Sequence, residues 1–208
     1  MTSPDAAPDL TRIRQAIASG DPARAMPALA GLREVGEAEA TPLLLLGLEQ
    51  TTFMIRSLAC AGLGVKRSEV GWQALERALG HDEDANVRAE AANALASYGV
   101  ERSWPLLRAA FVADGQWLVR CSILSALAEQ PEIPATWLLD LARLAIADGD
   151  GTVRVGGAEI LGRLARQATA DHQPVDAEPA AEARGLLVRL QSDTDHRVVA
   201  AALNGLQR

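Results

Sequence analysis

What most limits how this chain can fold is that it repeats itself. Five segments align without gaps: IRSLACAGLG (55–64), VRAEAANALA (87–96), VRCSILSALA (119–128), VRVGGAEILG (153–162) and VVAAALNGLQ (198–207). Their first residues lie 32, 32, 34 and 45 positions apart. Each opens on a β-branched residue, and the next is Arg56, Arg88, Arg120 or Arg154, with Val199 in the last copy. Each also carries a leucine eight positions after its start: Leu63, Leu95, Leu127, Leu161 and Leu206. A period of this size marks stacked supersecondary units, none of which can bury its apolar face alone.

A helical pattern precedes three of these segments. Trp72, Leu75 and Leu79 share one face, as do Trp104, Leu107 and Phe111, and again Trp137, Leu141 and Leu144, which is the amphipathic period of an α-helix. An acceptor side chain stands three residues before the β-branched start: Thr52, Asp84, Asp150 or Asp195, where it can cap the free N–H groups of a first helical turn. Asp21-Pro22 opens an earlier helix in the same way. These anchors predict six helix pairs, with first helices near 9–19, 39–50, 69–80, 101–113, 134–148 and 178–192. Their partners are expected near 22–35, 53–65, 85–98, 116–129, 151–168 and 195–207. Residues 1–8 read as a tail, residues 9–208 as one solenoid, and the polar, proline-containing stretch 169–179 as an edge loop.

Composition agrees with an all-α reading. About a third of the residues are Ala or Leu, the cheapest to place in a helix, and aromatics make up only 3%, which excludes a β-sandwich or barrel. The longest apolar run, 42–48, is far short of the roughly 20 residues that span a bilayer. The start, MTSPDAAP, has neither a basic nor an apolar stretch, so the expected location is cytoplasmic. There Cys60 and Cys121 would be reduced, buried thiols. A net charge of −7 argues against binding nucleic acid or anionic membrane by bulk electrostatics.

The pattern of Asp, turn, Val-Arg and a small-residue run ending in Leu resembles HEAT repeats over about residues 9–207. Its texture, in stretches such as RSLACAGLG and WLVRCSILSAL, is most similar to the HEAT-like repeats of cyanobacterial phycobilisome lyases. The resemblance implies a right-handed α-solenoid of about six HEAT-like pairs. It also implies a ladder between neighbouring repeats, built from Arg56, Arg88, Arg120 and Arg154 with Asp82, Asp114, Asp148 and Asp193. Each Asp stands six positions before the Arg of its own copy, Gln50 replaces it in the first, and Val199 replaces the last Arg.

Other constellations read as structural. Asp148-Gly-Asp150-Gly-Thr152 resembles a calcium loop, but Val153 occupies the sixth position where the turn needs glycine. His81, His172 and His196 are too far apart in sequence for metal-ligand spacing, so no metal site, no cofactor and no catalytic residue is expected. In HEAT solenoids the second helices line the concave surface. One helical stripe there holds Leu58, Ala61 and Val65; Glu90, Asn93 and Ser97; Ser122, Ser125 and Glu129; Gly156, Glu159 and Arg163. This small, weakly acidic stripe is the expected partner-binding surface, with Phe53 and Trp117 as contacts at the turn edge. A DNA-repair HEAT enzyme would need a basic face instead. The leading reading is a non-catalytic scaffold or adaptor. The alternative is a phycobilin lyase subunit or lyase-like chaperone, with a bilin as ligand and a phycobiliprotein subunit as partner. The last segment, HRVVAAALNGLQR, is apolar enough that a homo- or heterodimer through the C-terminal repeat is expected.

Overall fold

The computed structural model describes residues 9–170 and 177–207, with side chains for 9–166 and 178–207. Among them lie twelve α-helices and no strand, divided between two compact units, Met1–Gly99 and Val100–Arg208. The first unit holds α1 (Leu10–Ala18), α2 (Pro22–Gly31), α3 (Glu37–Leu48), α4 (Phe53–Lys66), α5 (Glu69–His81) and α6 (Ala85–Ala96). The second holds α7 (Val100–Ala113), α8 (Trp117–Ala128), α9 (Ala135–Ile146), α10 (Gly151–Ala170), α11 (Ala177–Leu190) and α12 (His196–Leu206). Each unit is a stack of three pairs. The expected tail and most of the expected edge loop, with His172, lie outside the described residues, and α10 and α11 reach slightly into the stretch read as loop.

Local chemistry starts and stops these helices. Asp9, Asp21, Ser68, Asp84 and Asp195 each accept an N–H of the first turn that follows, and Asp150 accepts from Thr152. Thr52 departs from the expected pattern. It caps nothing, and its hydroxyl donates instead to the Gly20 carbonyl at 3.4 Å, because the preceding pair brings that carbonyl within reach. α2 tightens into a 3-10 turn over Leu32–Glu34, where a longer helix was expected. α4 ends at Arg67, whose φ of 51° reverses the chain and returns its N–H to the Leu63 carbonyl.

Packing follows the repeat. In the first unit α4 lies against α2 and α6, and α3 against α1 and α5. In the second, α10 lies against α8 and α12, and α9 against α11. Successive second helices therefore stack on one another. Their inward positions are buried in each copy: Ile55, Ala59 and Leu63; Val87, Ala91 and Leu95; Val119, Ile123 and Leu127; Val153 and Leu161; Val198 and Ala202. Two contacts leave no room for a side chain. A Cβ on Gly64 would stand 2.9 Å from the Ala94 Cα, and one on Gly162 would stand 2.8 Å from the Gly205 Cα. Trp72 is buried edge-on against Tyr98. Trp104 and Trp137 are half-buried and stack on each other between α7 and α9, ring centroids 5.1 Å apart.

Candidate partner-binding surface

The turn between the helices of a pair is built around an aspartate and an arginine six residues apart. Asp82, Asp114, Asp148 and Asp193 each accept the N–H two residues ahead, at 2.8–2.9 Å. Arg88, Arg120 and Arg154 each donate back to the carbonyl of their own copy's aspartate. In the first unit Arg56 bonds the Gln50 and Thr51 carbonyls and forks onto Asp82 of the next pair at 2.8 and 2.9 Å. In the second, Arg120 reaches Asp148 at 2.7 Å and Arg154 forks onto Asp193 at 3.0 Å. Arg56, Arg120 and Arg154 thus each close their own turn and tie it to the next.

The Arg56–Asp82 pair is nearly buried, with side chains 9% and 11% exposed. The hydrogen bond to Asp82 raises the Arg56 pKa. Burial works against the Asp82 carboxylate, yet the Arg56 hydrogen bond, the Asp84 N–H and the nearby arginine charges hold it below the usual range. Arg154 lowers Asp193 in the same way. Carboxylates engaged like this do not serve as general acids or bases near neutral pH.

In the calcium-like run Asp148 binds Arg120, and Asp150 caps α10. Among the described residues no three His, Cys, Asp or Glu side chains gather where they could hold a metal ion. His81 and His196 are exposed at helix ends. Cys60 is fully buried, and its thiol is pushed up to about 12, chiefly by burial. Cys121 is only half-buried, a correction to the expected pair of buried thiols, because its side of α8 is not fully covered.

The outward stripe of the second helices differs between copies. On α4 it is apolar: Met54 is 41% exposed, Leu58 and Ala61 are half-buried, and Val65 is 56% exposed. Shallow hollows flank it on both sides. One of about 370 Å³ is lined by Met26, Phe53, Met54, Leu58, Asn86 and Glu90. The other, about 340 Å³, lies over Leu29, Leu32, Leu44, Gly62 and Lys66. Phe53 adds a ring 39% exposed. A third hollow of about 390 Å³ lies between α3 and α5, but Glu49, Arg77 and the ladder residue Asp82 line it.

The other stripes are polar or small. On α6 Glu90 is half-buried, and Asn93 and Ser97 are exposed. In the second unit Ser122 is half-buried, while Ser125, Glu129 and Glu159 are exposed. There a hollow of about 160 Å³ lies among Leu124, Ser125, Gly156, Glu159 and Arg163. Arg163 is not free for a partner, because its guanidinium donates to the Ala128 carbonyl at the end of α8. Trp117 is 46% exposed at the start of α8. Two residues of the apolar hollow were absent from the sequence reading. Met54 was legible, four positions before Leu58 on the same stripe, whereas Met26 lies in a pair without the Arg signature that set the register.

The family model for HEAT repeats matches residues 41–128. No curated protein matches the sequence. Human deoxyhypusine hydroxylase, solved with glycerol, is similar at TM-score 0.51 and 16% identity, over 95% of this chain and 94% of that one. An engineered protein is similar at TM-score 0.53 and 16% identity, over 96% of both chains. The complex of CpcE and CpcF of phycocyanin lyase from Nostoc sp. is similar at TM-score 0.52 and 19% identity, over 99% of this chain and 79% of that one. At these identities the likeness is one of fold. No helix among the described residues is long and apolar enough to cross a membrane. Residues 41–128 match the model for HEAT repeats, and the all-α fold of stacked helix pairs is of the α-solenoid kind that the phycocyanin lyase complex also shows.

Proposed function

We propose that this HEAT-repeat chain is a non-catalytic adaptor that holds a partner protein against the outward face of its second helices, with α4 as the principal contact. The observation that carries this reading is the apolar stripe Met54, Leu58, Ala61 and Val65 with Phe53 beside it. Nothing in the packing requires it, since the inward side of α4 is already filled by Ile55, Ala59 and Leu63. An exposed apolar row between two hollows suits the nonpolar side of a partner helix, with Glu90 and Lys66 at the walls to orient it. Phe53 and Trp117 supply ring contacts at the turn edge of their respective units.

The alternative is a bilin lyase subunit or lyase-like chaperone acting on a phycobiliprotein. The fold likeness to phycocyanin lyase, itself a complex of two named components, supports it. Affinity capture from native host lysate, read by mass spectrometry, separates the readings. The wild-type chain is run beside Leu58→Glu and beside Asn93→Arg with Ser125→Arg. A partner lost with Leu58→Glu supports the adaptor reading. If that partner is a phycobiliprotein subunit, and bilin added to the pure chain shifts its absorbance, the lyase reading takes precedence. A partner recovered equally by wild type and both variants contradicts the assigned face.

A further inference from the structure

The two hollows that flank the α4 stripe carry opposite charges. The one beside Met54 and Leu58 is lined by a single charged side chain, Glu90. Glu90 is half-buried, and among the described residues its carboxylate has no hydrogen-bond or ion-pair partner. A carboxylate partly withdrawn from water and left unpaired favours an incoming cation. The other hollow, over Leu29, Leu32 and Leu44, is lined by Arg33 and Lys66 and by no acidic side chain. Lys66 is fixed there, its ammonium donating to the Arg33 and Val35 carbonyls at 2.8 and 2.6 Å. The Arg33 side chain is exposed and, among the described residues, unpaired. Glu90 and Leu58 hold the same place in their copies, three residues after the β-branched start. The acidic and basic ends of the stripe are therefore separated by the rise from Leu58 to Lys66, about 12 Å or two helical turns.

We infer that the partner element seated on α4 is an amphipathic helix running antiparallel to it, with an acidic side chain in its first turn beside Arg33 and Lys66 and a basic one about two turns on beside Glu90. This rests on reading the α4 stripe as the partner contact, and adds the charge and direction of what is held there. The apolar side of such a helix covers Leu58, Ala61 and Val65, while its two charges meet the hollows on either flank. An acid stabilises the first turn of a helix and a base the last. Only the antiparallel direction places both charges where they stabilise the partner helix and also meet their counterparts on this chain. A uniformly acidic or basic helix would set one end against like charge. An anionic lipid surface would bring negative charge onto Glu90. A second copy of α4 matches poorly, because its Glu90 is itself half-buried and its Lys66 is bonded to two carbonyls, which leaves only Arg33 to reach across.

Fluorescence anisotropy of the full chain with a labelled synthetic peptide tests the inference. The peptide is alanine-rich and blocked at both ends, with glutamate in its first turn, leucines along one face and arginine about two turns on. Leu58→Glu is expected to abolish binding. Arg33→Glu and Glu90→Arg are each expected to weaken it at least about fivefold with an unchanged circular dichroism spectrum, and Glu90→Arg is expected to recover when glutamate replaces the peptide's arginine. A nitroxide on the peptide's first residue is expected to broaden the amide signals of Val65 and Lys66 more than those of Phe53 and Met54. Binding lost with Leu58→Glu but indifferent to the charge reversals, or broadening at the Phe53 end, overturns the inference and leaves the α4 reading standing. Failure of the peptide to bind, or binding indifferent to Leu58→Glu, overturns both. A dimer of the pure chain that Leu58→Glu dissolves in sedimentation, or attachment to phosphatidylglycerol vesicles that it abolishes, also overturns the inference, since a second copy or a lipid surface would then cover the stripe.

Discussion

α4 and α10 are the same element twice, and their two sides obey different rules. Inward, Ile55, Ala59 and Leu63 correspond to Val153, Gly157 and Leu161, all buried. Outward, Met54, Leu58, Ala61 and Val65 correspond to Thr152, Gly156, Glu159 and Arg163. The stack dictates the inward side, because each repeat is stable only against its neighbours. It leaves the outward side free, and there one copy has become apolar while the other stayed polar. That stripe, which the fold does not need in a place where water would favour polar residues, is the basis of the proposed partner contact.

Substitutions on the two sides of α4 are expected to differ most. Leu63→Ala is expected to cost about 3 kcal/mol of stability in urea unfolding, as for a large side chain lost from a closed core. Leu58→Glu on the outward side is expected to change stability by no more than about 0.5 kcal/mol. A comparable loss at both positions would make the stripe part of the core.

The ion pairs give a second contrast. Arg56→Ala leaves the Asp82 carboxylate buried without its fork, and also frees the Gln50 and Thr51 carbonyls. It is expected to cost about 2–3 kcal/mol. Arg143→Ala removes a fork of similar length whose side chains are 49% and 36% exposed, and is expected to cost less than about 1 kcal/mol. Equal costs would mean that burial does not separate them.

Acid sharpens the same contrast more gently. Asp82, Asp150 and Asp193 are held below the usual carboxylate range, and Asp195, bonded by the Arg197 side chain and N–H, falls to about 2. Each binds a proton less readily folded than unfolded. Its contribution is complete above the unfolded value of about 4 and is lost as pH falls through the folded value. Stability is therefore expected to hold from pH 7 to about 5 and to drop steeply below 4. Arg56→Ala should flatten that drop, because Asp82 then loses its main stabilising partner.

The smallest expected effect concerns the thiols. With its pKa near 12 and no exposure, Cys60 is expected to stay unmodified by a thiol reagent in native buffer at pH 8, and to react only on unfolding. Mass spectrometry of peptides after a short pulse reads this directly. Rapid native labelling of Cys60 would mean that the seam between α4 and α6 opens.

Much of this was legible because the repeat is periodic. The β-branched start and the leucine eight residues on set the inward side of each second helix, so Ile55 and Leu63 could be placed before any coordinates. Asp84 and Asp195 could be placed as caps by their distance from that start. Thr52 could not, since what its hydroxyl meets depends on Gly20, 32 residues away. Arg163 was assigned to the surface by angle alone, and its bond to the Ala128 carbonyl is a matter of reach across two helices. Met26 stayed hidden for a related reason: the first pair lacks the Arg signature, so nothing tied its register to α4.

The most direct test of the account is the affinity of the partner captured by the wild-type chain, measured by calorimetry against wild type, Leu58→Glu with Val65→Glu, and Glu159→Arg. The account predicts at least about a tenfold loss for the α4 double variant, a smaller change for the α10 variant, and unchanged Tm for both. Unaltered affinity in the α4 variant, with the loss falling on Glu159→Arg instead, would contradict it.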